Sequence, residues 1–236
     1  MIRKKIVNYV VGFIISLLVF LVLLVTSIEL VAYDQDFYIQ QYQRLNTAEN
    51  IGMTEEDLIR VTQQLIDYIS GRWNSIESIT AEINGVQRQV FNEREITHMV
   101  DVKRLFELAA KVRFFTLMGI TVLTVILYFS SNRNPLKYLT ASYLSAAGLL
   151  LLTLIVSVLL IRSDFTYYWD QFHYIFFSND LWILNPETDI MIQMVPEPFF
   201  YQAVFRVFAY FGTGTVIISL GSCLLLKLQK RLNNKN

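Results

Sequence analysis

The chain contains two histidines, His98 and His173, and these are the side chains best suited to move protons near neutral pH. A pair of imidazoles could divide the work of general base and general acid. If the residues around His98 form a helix, Glu95 and Asp101 lie on its face, three residues to either side. Arg94 lies alongside, four residues before His98. Because a carboxylate beside an imidazole can fix its tautomer and raise its basicity, we predict that these three charged residues support the histidine.

Aromatic side chains surround the second histidine in the sequence. A helix through His173 places Trp169, Phe176 and Phe177 beside the imidazole. The wider segment 162–203 holds twelve aromatic residues, a composition that suits the boundary between membrane and water. Either histidine alone is more often a solvated or hydrogen-bonded residue than a catalyst, so the two indicate a site only if the fold brings them together.

Other catalytic and ligand-binding patterns are missing from the sequence. Glu95-x-x-His98 has a spacing found in carboxylate metal sites, but such sites need a second pair, and His-Glu-x-x-His does not occur. We therefore predict no metal site. The Gly-x-Ser-x-Gly turn and the loop Gly-x-x-x-x-Gly-Lys-Ser/Thr are also absent, so we expect no cofactor and no nucleotide or nucleic-acid partner. The single cysteine, Cys223, excludes a disulfide within the chain.

Four apolar runs must position these residues, and each is long enough to cross about 30 Å of hydrocarbon as a helix. They cover residues 6–31, 112–131, 138–161 and 204–226. The first run resembles a signal peptide, but it is too long and no small-x-small cleavage site follows it, which predicts a retained span. The predicted fold class is an all-α membrane protein with four transmembrane helices and an extracellular α+β cap made from two insertions.

The charges outside these runs predict the orientation. The short segments carry nine basic and no acidic residues, whereas the two long insertions hold 19 of the 20 acidic residues. Because positive charge stays cytoplasmic, we expect both termini inside, and a multi-pass plasma-membrane protein with its active site on the extracellular side. The predicted regions are the first span (1–31), the first cap insertion (32–111), the second span (112–131), a cytoplasmic turn (132–137), the third span (138–161), the aromatic second insertion (162–203), the fourth span (204–226) and a cytoplasmic tail (227–236).

The first insertion is predicted to contain a helix, a β-hairpin and a second helix. Thr54 begins a capping-box pattern, apolar residues follow at helical spacing, and Gly71 ends the helix. Asn84-Gly85 lies between two short β-favouring runs and predicts a hairpin with a type I′ turn. Asn92 is predicted to cap a helix that continues into the second span.

With these segments in view, the chain resembles the bacterial lipoprotein intramolecular transacylase family. The resemblance rests on Phe37-Tyr38 and on residues 95–103, 172–182 and 185–200. Its most specific parts are the sequences Glu-Ile-Thr-His-Met-Val-Asp and Phe-His-Tyr-Ile-Phe-Phe, which contain the two histidines. The four-span layout agrees over nearly the whole chain.

The resemblance implies a reaction and the residues that perform it. The family acts on a diacylated lipoprotein whose N-terminal cysteine carries a thioether-linked diacylglyceryl group. It moves the sn-2 acyl chain to the α-amine of the same cysteine and so produces an N-acyl lyso-lipoprotein. The expected partners are this substrate and membrane lipids. The catalytic histidines of the family match His98 and His173.

The two imidazoles are therefore expected to converge at the boundary between cap and membrane as base and acid, in an order that the sequence does not assign. Aromatic residues are expected to line the substrate chamber: Trp169, Phe172, Phe176, Phe177 and Trp182. Two other functions stay open from the residues alone. One is a non-enzymatic membrane receptor or assembly protein that binds lipids or proteins, and the other is an acyltransferase that works between separate lipid molecules.

Overall fold

Helices account for most of the protein. The computed structural model describes residues 2–233, so the last three residues of the predicted tail, including Lys235, lie outside the described part. In chain order the elements are α1 (Ile2–Ala32), α2 (Gln35–Leu45), α3 (Thr47–Ile51), α4 (Glu55–Ile69), β1 (Thr80–Ile83), β2 (Val86–Gln89), α5 (Glu93–Ser130), α6 (Leu136–Ser163), α7 (Phe165–Phe176), α8 (Ile190–Met194) and α9 (Glu197–Asn233).

Within residues 2–233, four helices are long and apolar enough to cross a membrane, namely α1, α5, α6 and α9. Three of them contain an apolar run in full and α5 contains the second run up to Ser130, which confirms the predicted set of membrane helices. Helix α5 runs unbroken for 38 residues. The helix predicted to begin after Asn92 therefore continues into the second apolar run, as expected.

The chain forms two compact units. The helix unit comprises residues 2–28, 111–160 and 207–233, and the insertion unit comprises residues 29–110 and 161–206. Each has a hydrophobic core of its own.

Close backbone approach joins α1 to α6 in the helix unit. A Cβ atom added at Gly12 would lie 2.8 Å from Ser142 Oγ and 3.0 Å from the carbonyl oxygen of Tyr138. Ser142 Oγ also donates a hydrogen bond to the carbonyl oxygen of Tyr9 at 3.0 Å. Lipid tails are as apolar as the side chains that face them, so burial of apolar surface does not drive these helices together. Close packing of small residues and hydrogen bonds between helices hold membrane helices together instead.

Two further hydrogen bonds link helices of the same unit. Ser130 Oγ donates to Asn8 Oδ1 at 2.7 Å and joins α5 to α1. The hydroxyl of Tyr143 donates to the carbonyl oxygen of Thr215 at 3.3 Å and joins α6 to α9. Asn8 and Thr215 are 2% and 0% exposed, so these polar groups are satisfied inside the protein rather than by solvent.

The helix ends in the insertion unit follow their predicted signals. Thr54 Oγ1 accepts a hydrogen bond from the backbone N–H of Asp57 at 3.1 Å and caps α4. Gly71 has φ +80° and forms a Schellman motif, because its N–H donates to Tyr68 O and the N–H of Arg72 donates to Asp67 O. A left-handed residue is needed at this position, which is why the glycine ends the helix.

The predicted β-hairpin is also confirmed. Strands β1 and β2 pair antiparallel, with Ile83 opposite Val86. Asn84 and Gly85 both have positive φ, 51° and 78°, as a type I′ turn requires. Only β1 buries side chains, Ala81 and Ile83, in the core of the unit, whereas β2 is exposed. Two strands alone are marginal, so this packing is what stabilises the pair.

The approach at Gly12 generates a stability prediction. Gly12→Ala should destabilise the helix unit by about 1–3 kcal/mol, because the new methyl group meets the Tyr138 backbone, which cannot rotate away. Gly148→Ala is the matched control in the same unit, since its added Cβ meets no atom within 4 Å. Thermal unfolding in detergent, followed by circular dichroism, measures the difference. Equal unfolding temperatures for the two variants would contradict the close α1–α6 contact.

Candidate active site

The two histidines belong to different elements of the insertion unit, and both are buried. His98 lies in the second turn of α5 and is 8% exposed, and His173 lies near the end of α7 and is 7% exposed. Both imidazoles contact the ring of Phe177, at centroid distances of 5.2 and 5.7 Å. The fold therefore brings together two side chains that are far apart in the sequence.

The first turn of α5 is fixed by a reciprocal capping box. Asn92 Oδ1 accepts from the backbone N–H of Glu95 at 3.0 Å, and Glu95 Oε2 accepts from the backbone N–H of Asn92 at 2.7 Å. Glu95 Oε1 accepts from the backbone N–H of Met191 at 2.6 Å, at the start of α8. Asn92 Nδ2 also donates to Asp189 Oδ1 at 2.9 Å. These bonds fix the start of the helix that carries His98.

This arrangement corrects one expectation about Glu95. Its carboxylate was expected to hold the imidazole of His98, but both of its oxygens accept backbone N–H groups instead. Among the described residues, Nδ1 of His98 is buried and has no hydrogen-bond partner. Glu95 and His98 lie at the predicted spacing on the helix. The carboxylate nevertheless accepts free backbone N–H groups at the starts of α5 and α8 rather than a proton of the imidazole.

Asp101 and Arg94 influence His98 through their charges. Burial lowers the pKa of His98 from its usual 6.5 to about 4, and the charges of His173 and Arg94 lower it as well, whereas the charge of Asp101 raises it. Asp101 accepts a hydrogen bond from Asn179 Nδ2 at 2.9 Å, so it is fixed to the segment that follows α7. Arg94 Nη2 donates to the carbonyl oxygen of Asp180 in that same segment.

His173 has a defined tautomer. Its Nδ1 lies 2.8 Å from the carbonyl oxygen of Trp169. A carbonyl oxygen only accepts, so Nδ1 carries the proton, and in the neutral ring Nε2 keeps its lone pair. Burial lowers the pKa of His173 from its usual 6.5, while the hydrogen bond to Trp169 and the charge of Asp170 act in the opposite direction.

Aromatic rings enclose His173. Trp182 stacks on the imidazole at 4.5 Å, Trp169 meets it edge-on at 4.7 Å, and Phe172 lies at 5.4 Å. Together with Phe177, four of the five predicted chamber residues therefore contact this histidine. The fifth, Phe176, packs on Phe172 at 4.8 Å and is half-exposed.

Several neighbours of the site were not singled out in the sequence. Phe200 stacks on Trp169 at 4.3 Å, and its signals were the aromatic density of the second insertion and its place at the end of the matching segment 185–200. Asn179 bonds to Asp101. Met191 contributes a backbone N–H, for which a sequence carries no signal.

A cleft of about 230 Å³ opens beside Phe177. Its lining is partly polar and partly apolar and consists of Asp101, Arg104, Leu105, Leu108, Phe176, Phe177, Ser178 and Asn179. A second cleft, of about 210 Å³, is lined by residues of α2, α3 and α4 and the turns beside them, and neither cleft has a histidine in its lining. Within residues 2–233 no group of three or more His, Cys, Asp or Glu side chains is placed to hold a metal ion.

The chain also matches a known family. The family model described as lipoprotein intramolecular transacylase Lit matches residues 13–200, a stretch that contains both histidines. The chain belongs to this family. The resemblance stated from the residues around the histidines is therefore confirmed. Comparison with curated protein sequences finds no match.

Solved structures of the membrane integral transacylase Lit from Bacillus cereus share the fold. One in meso structure aligns with a TM-score of 0.77 at 22% identity and covers 97% of this chain and 99% of that chain. Two variants of the same enzyme, with a histidine replaced by arginine or by alanine, align with a TM-score of 0.73 each. Their identities are 21% and 20%, and the alignments cover 98% and 97% of this chain and 96% and 98% of the other.

The bonds of Glu95 generate a prediction that separates a structural role from a catalytic one. Glu95→Gln should destabilise the insertion unit by about 1–3 kcal/mol, because an amide nitrogen cannot accept a backbone N–H and leaves a buried donor unpaired. Glu93→Gln, an exposed change in the same turn, should have little effect. All three tryptophans lie in this unit, so thermal unfolding followed by tryptophan fluorescence measures the difference. A Glu95→Gln variant as stable as Glu93→Gln would contradict the assignment.

Proposed function

We propose that this protein moves the sn-2 acyl chain of a diacylated lipoprotein to the α-amine of the same N-terminal cysteine, with His98 and His173 as the proton-transfer groups. One observation supports the proposal above all: two buried imidazoles, far apart in the sequence, contact the same Phe177 ring. Membership of the transacylase family supports the substrate class.

The chemistry needs a base and an acid but no enzyme nucleophile. The α-amine nitrogen attacks the ester carbonyl carbon, a C–N bond forms, and the amine loses a proton. The bond from the carbonyl carbon to the glycerol oxygen then breaks, and this oxygen gains a proton. Replacement of an ester by an amide is downhill, so the reaction requires no nucleotide. Imidazole can serve in either proton transfer.

The tautomer of His173 supports its assignment as the base. Nδ1 is engaged with Trp169 O, so the lone pair of Nε2 is free to take the proton from the attacking amine. His98 then passes this proton on to the glycerol oxygen: it gains a proton from His173 at one ring nitrogen and gives one from the other, so both imidazoles end the cycle neutral. Burial and the neighbouring His173 lower the pKa of His98 from its usual 6.5 to about 4, so His98 is neutral near pH 7 and does not retain a proton that it receives.

The aromatic residues around His173 position the substrate and exclude water. Rings on several sides of His173 leave little room for water, which would otherwise hydrolyse the ester. The cleft beside Phe177 has both polar and apolar residues in its lining, which suits a substrate with a polar head and acyl chains. Holding both reacting groups of one molecule in an attack geometry can supply about 7–11 kcal/mol of the barrier.

We further propose the orientation that the charges favour. The N-terminal tip, the connector between α5 and α6, and the C-terminal end are basic and face the cytoplasm, while the acidic insertion unit faces the outside. This orientation would put the imidazoles on the same side of the membrane as diacylated lipoproteins anchored in the outer leaflet.

Substitution of either histidine tests the proposal. His98→Ala and His173→Ala should each lower the rate of transacylation by about 100- to 10,000-fold, the usual contribution of a general acid or base. Mass spectrometry of the N-terminal lipopeptide measures the N-acyl lyso product, with Glu93→Gln as a control that should remain active.

Two outcomes would contradict this function. Undiminished product in both histidine variants removes the proposed chemistry and favours a protein that only binds lipids or proteins. A substrate labelled in its sn-2 chain distinguishes the third possibility. If the labelled chain does not appear on the amine of its own molecule, and acyl chains from phospholipid appear there instead, the transfer occurs between molecules.

The environment of His173 also predicts a pH dependence. The base must be neutral, and its pKa is lowered, so this titration should reduce kcat/KM only as the pH falls below about 6.5, the reference pKa of histidine. A separate step near 8 belongs to the substrate amine, whose pKa is about 7.7–8.0. Asp170→Asn removes a negative charge that raises the pKa of His173, so the lower step should move to still lower pH. A pH series of kcat/KM checks this, and a lower step that stays in place would contradict His173 as the base.

A further inference from the structure

Arg94 has an unused hydrogen-bond donor in a buried position. Its Nη2 donates to the carbonyl oxygen of Asp180 and lies 3.5 Å from the Asp180 carboxylate. Its Nε, by contrast, is buried and has no hydrogen-bond partner among the described residues. A guanidinium is always charged, and a buried donor without an acceptor is costly. The arrangement indicates an acceptor that arrives with the substrate.

The position of Arg94 on α5 identifies where that acceptor would lie. Arg94 and His98 are four residues apart, so their side chains share one face of the helix. His98 Nδ1 is also buried and unpartnered within residues 2–233, and the charge of Arg94 acts on His98. The carboxylate oxygens of the intervening Glu95 accept backbone N–H groups, so they form no hydrogen bond to either side chain.

We propose that Arg94 is a catalytic residue whose Nε–H donates to the ester carbonyl oxygen of the transferred acyl chain and stabilises the negative charge that this oxygen acquires. The proposal rests on the transacylation proposed above. When the amine nitrogen bonds to the carbonyl carbon, the π electron pair moves to this oxygen. The pair returns as the bond to the glycerol oxygen breaks, and the glycerol oxygen leaves with the proton from His98. Arg94 gains and loses no proton in the cycle.

The ion pair between Arg94 and Asp180 contributes little to stability, although the charge of Arg94 also acts on Asp189. The Asp180 side chain is 76% exposed, and exposed ion pairs contribute little to stability. The bond from Nη2 to the Asp180 backbone instead fixes the plane of the guanidinium, which sets the direction of Nε–H before the substrate binds. Donors fixed in advance are the ones that stabilise a developing charge most.

Kinetics of Arg94 variants test the inference. Arg94→Ala and Arg94→Lys should each lower kcat by about 100- to 1,000-fold with little change in KM, as expected when one oxyanion donor is lost. Lysine keeps the charge but lacks Nε–H in this geometry. Arg72→Gln is the control, since Arg72 is an exposed arginine of the same unit that pairs with Asp67 and contacts neither imidazole. Thermal unfolding of each variant shows whether it is folded.

Two readouts separate catalysis from a structural effect. Guanidinium chloride at non-denaturing concentration should restore part of the kcat of Arg94→Ala and none of that of His98→Ala. A lipopeptide phosphonate, which mimics the tetrahedral oxyanion, should bind Arg94→Ala more weakly by the same factor as the loss in kcat/KM. Unchanged kcat in folded Arg94 variants, or a loss confined to KM, would overturn the inference.

The outcomes also separate this inference from the function on which it rests. An active wild type with inactive histidine variants and fully active Arg94 variants removes the role of Arg94 alone. A wild type that forms no N-acyl lyso product removes the proposed function itself. Loss of activity in Arg94→Ala that guanidinium restores supports both.

Discussion

The buried carboxylate of Glu95 is the constraint on which the arrangement of the site depends. It is 1% exposed, and a polar group so deep in a protein is tolerated only when it is hydrogen-bonded. Its two oxygens accept the N–H groups of Asn92 and of Met191, which lies 96 residues later in the sequence. The first turn of α5 is thereby fixed to the start of α8. Arg94 and His98 lie on that turn and the next, so their positions follow from this one side chain.

The two imidazoles differ in how much of their hydrogen bonding the protein satisfies. His173 has an internal acceptor in Trp169 O and is enclosed by rings, so its tautomer and orientation are set before any substrate binds. His98 lacks a partner for Nδ1 within the described residues, although it is equally buried. An imidazole with a fixed tautomer and orientation suits the role of the base, which must point at the nitrogen of the substrate amine. An unsatisfied group suits the exchange of a proton with a substrate that completes its surroundings.

The sequence predicted the local structure well and the long-range contacts poorly. Caps and turns depend on residues next to one another, which is why Thr54, Gly71 and the Asn84-Gly85 hairpin were correctly assigned. Helix spacing correctly placed Glu95 near His98, but it does not specify which N–H groups compete for a carboxylate. The shared contact with Phe177 depends on how α5 and α7 pack. Such packing follows from tertiary contacts rather than from any periodicity along the chain.

Burial of His173 has two opposite effects on the reaction, and their balance explains why a weakened base suffices. Desolvation lowers the pKa of the imidazole and so reduces its basicity. The same rings exclude water, which would compete with the amine for the ester. Once the amine nitrogen bonds to the carbonyl carbon it becomes cationic and far more acidic than a free ammonium group. The base therefore removes a proton from a stronger acid than the free ammonium group, which offsets part of the basicity that burial removes.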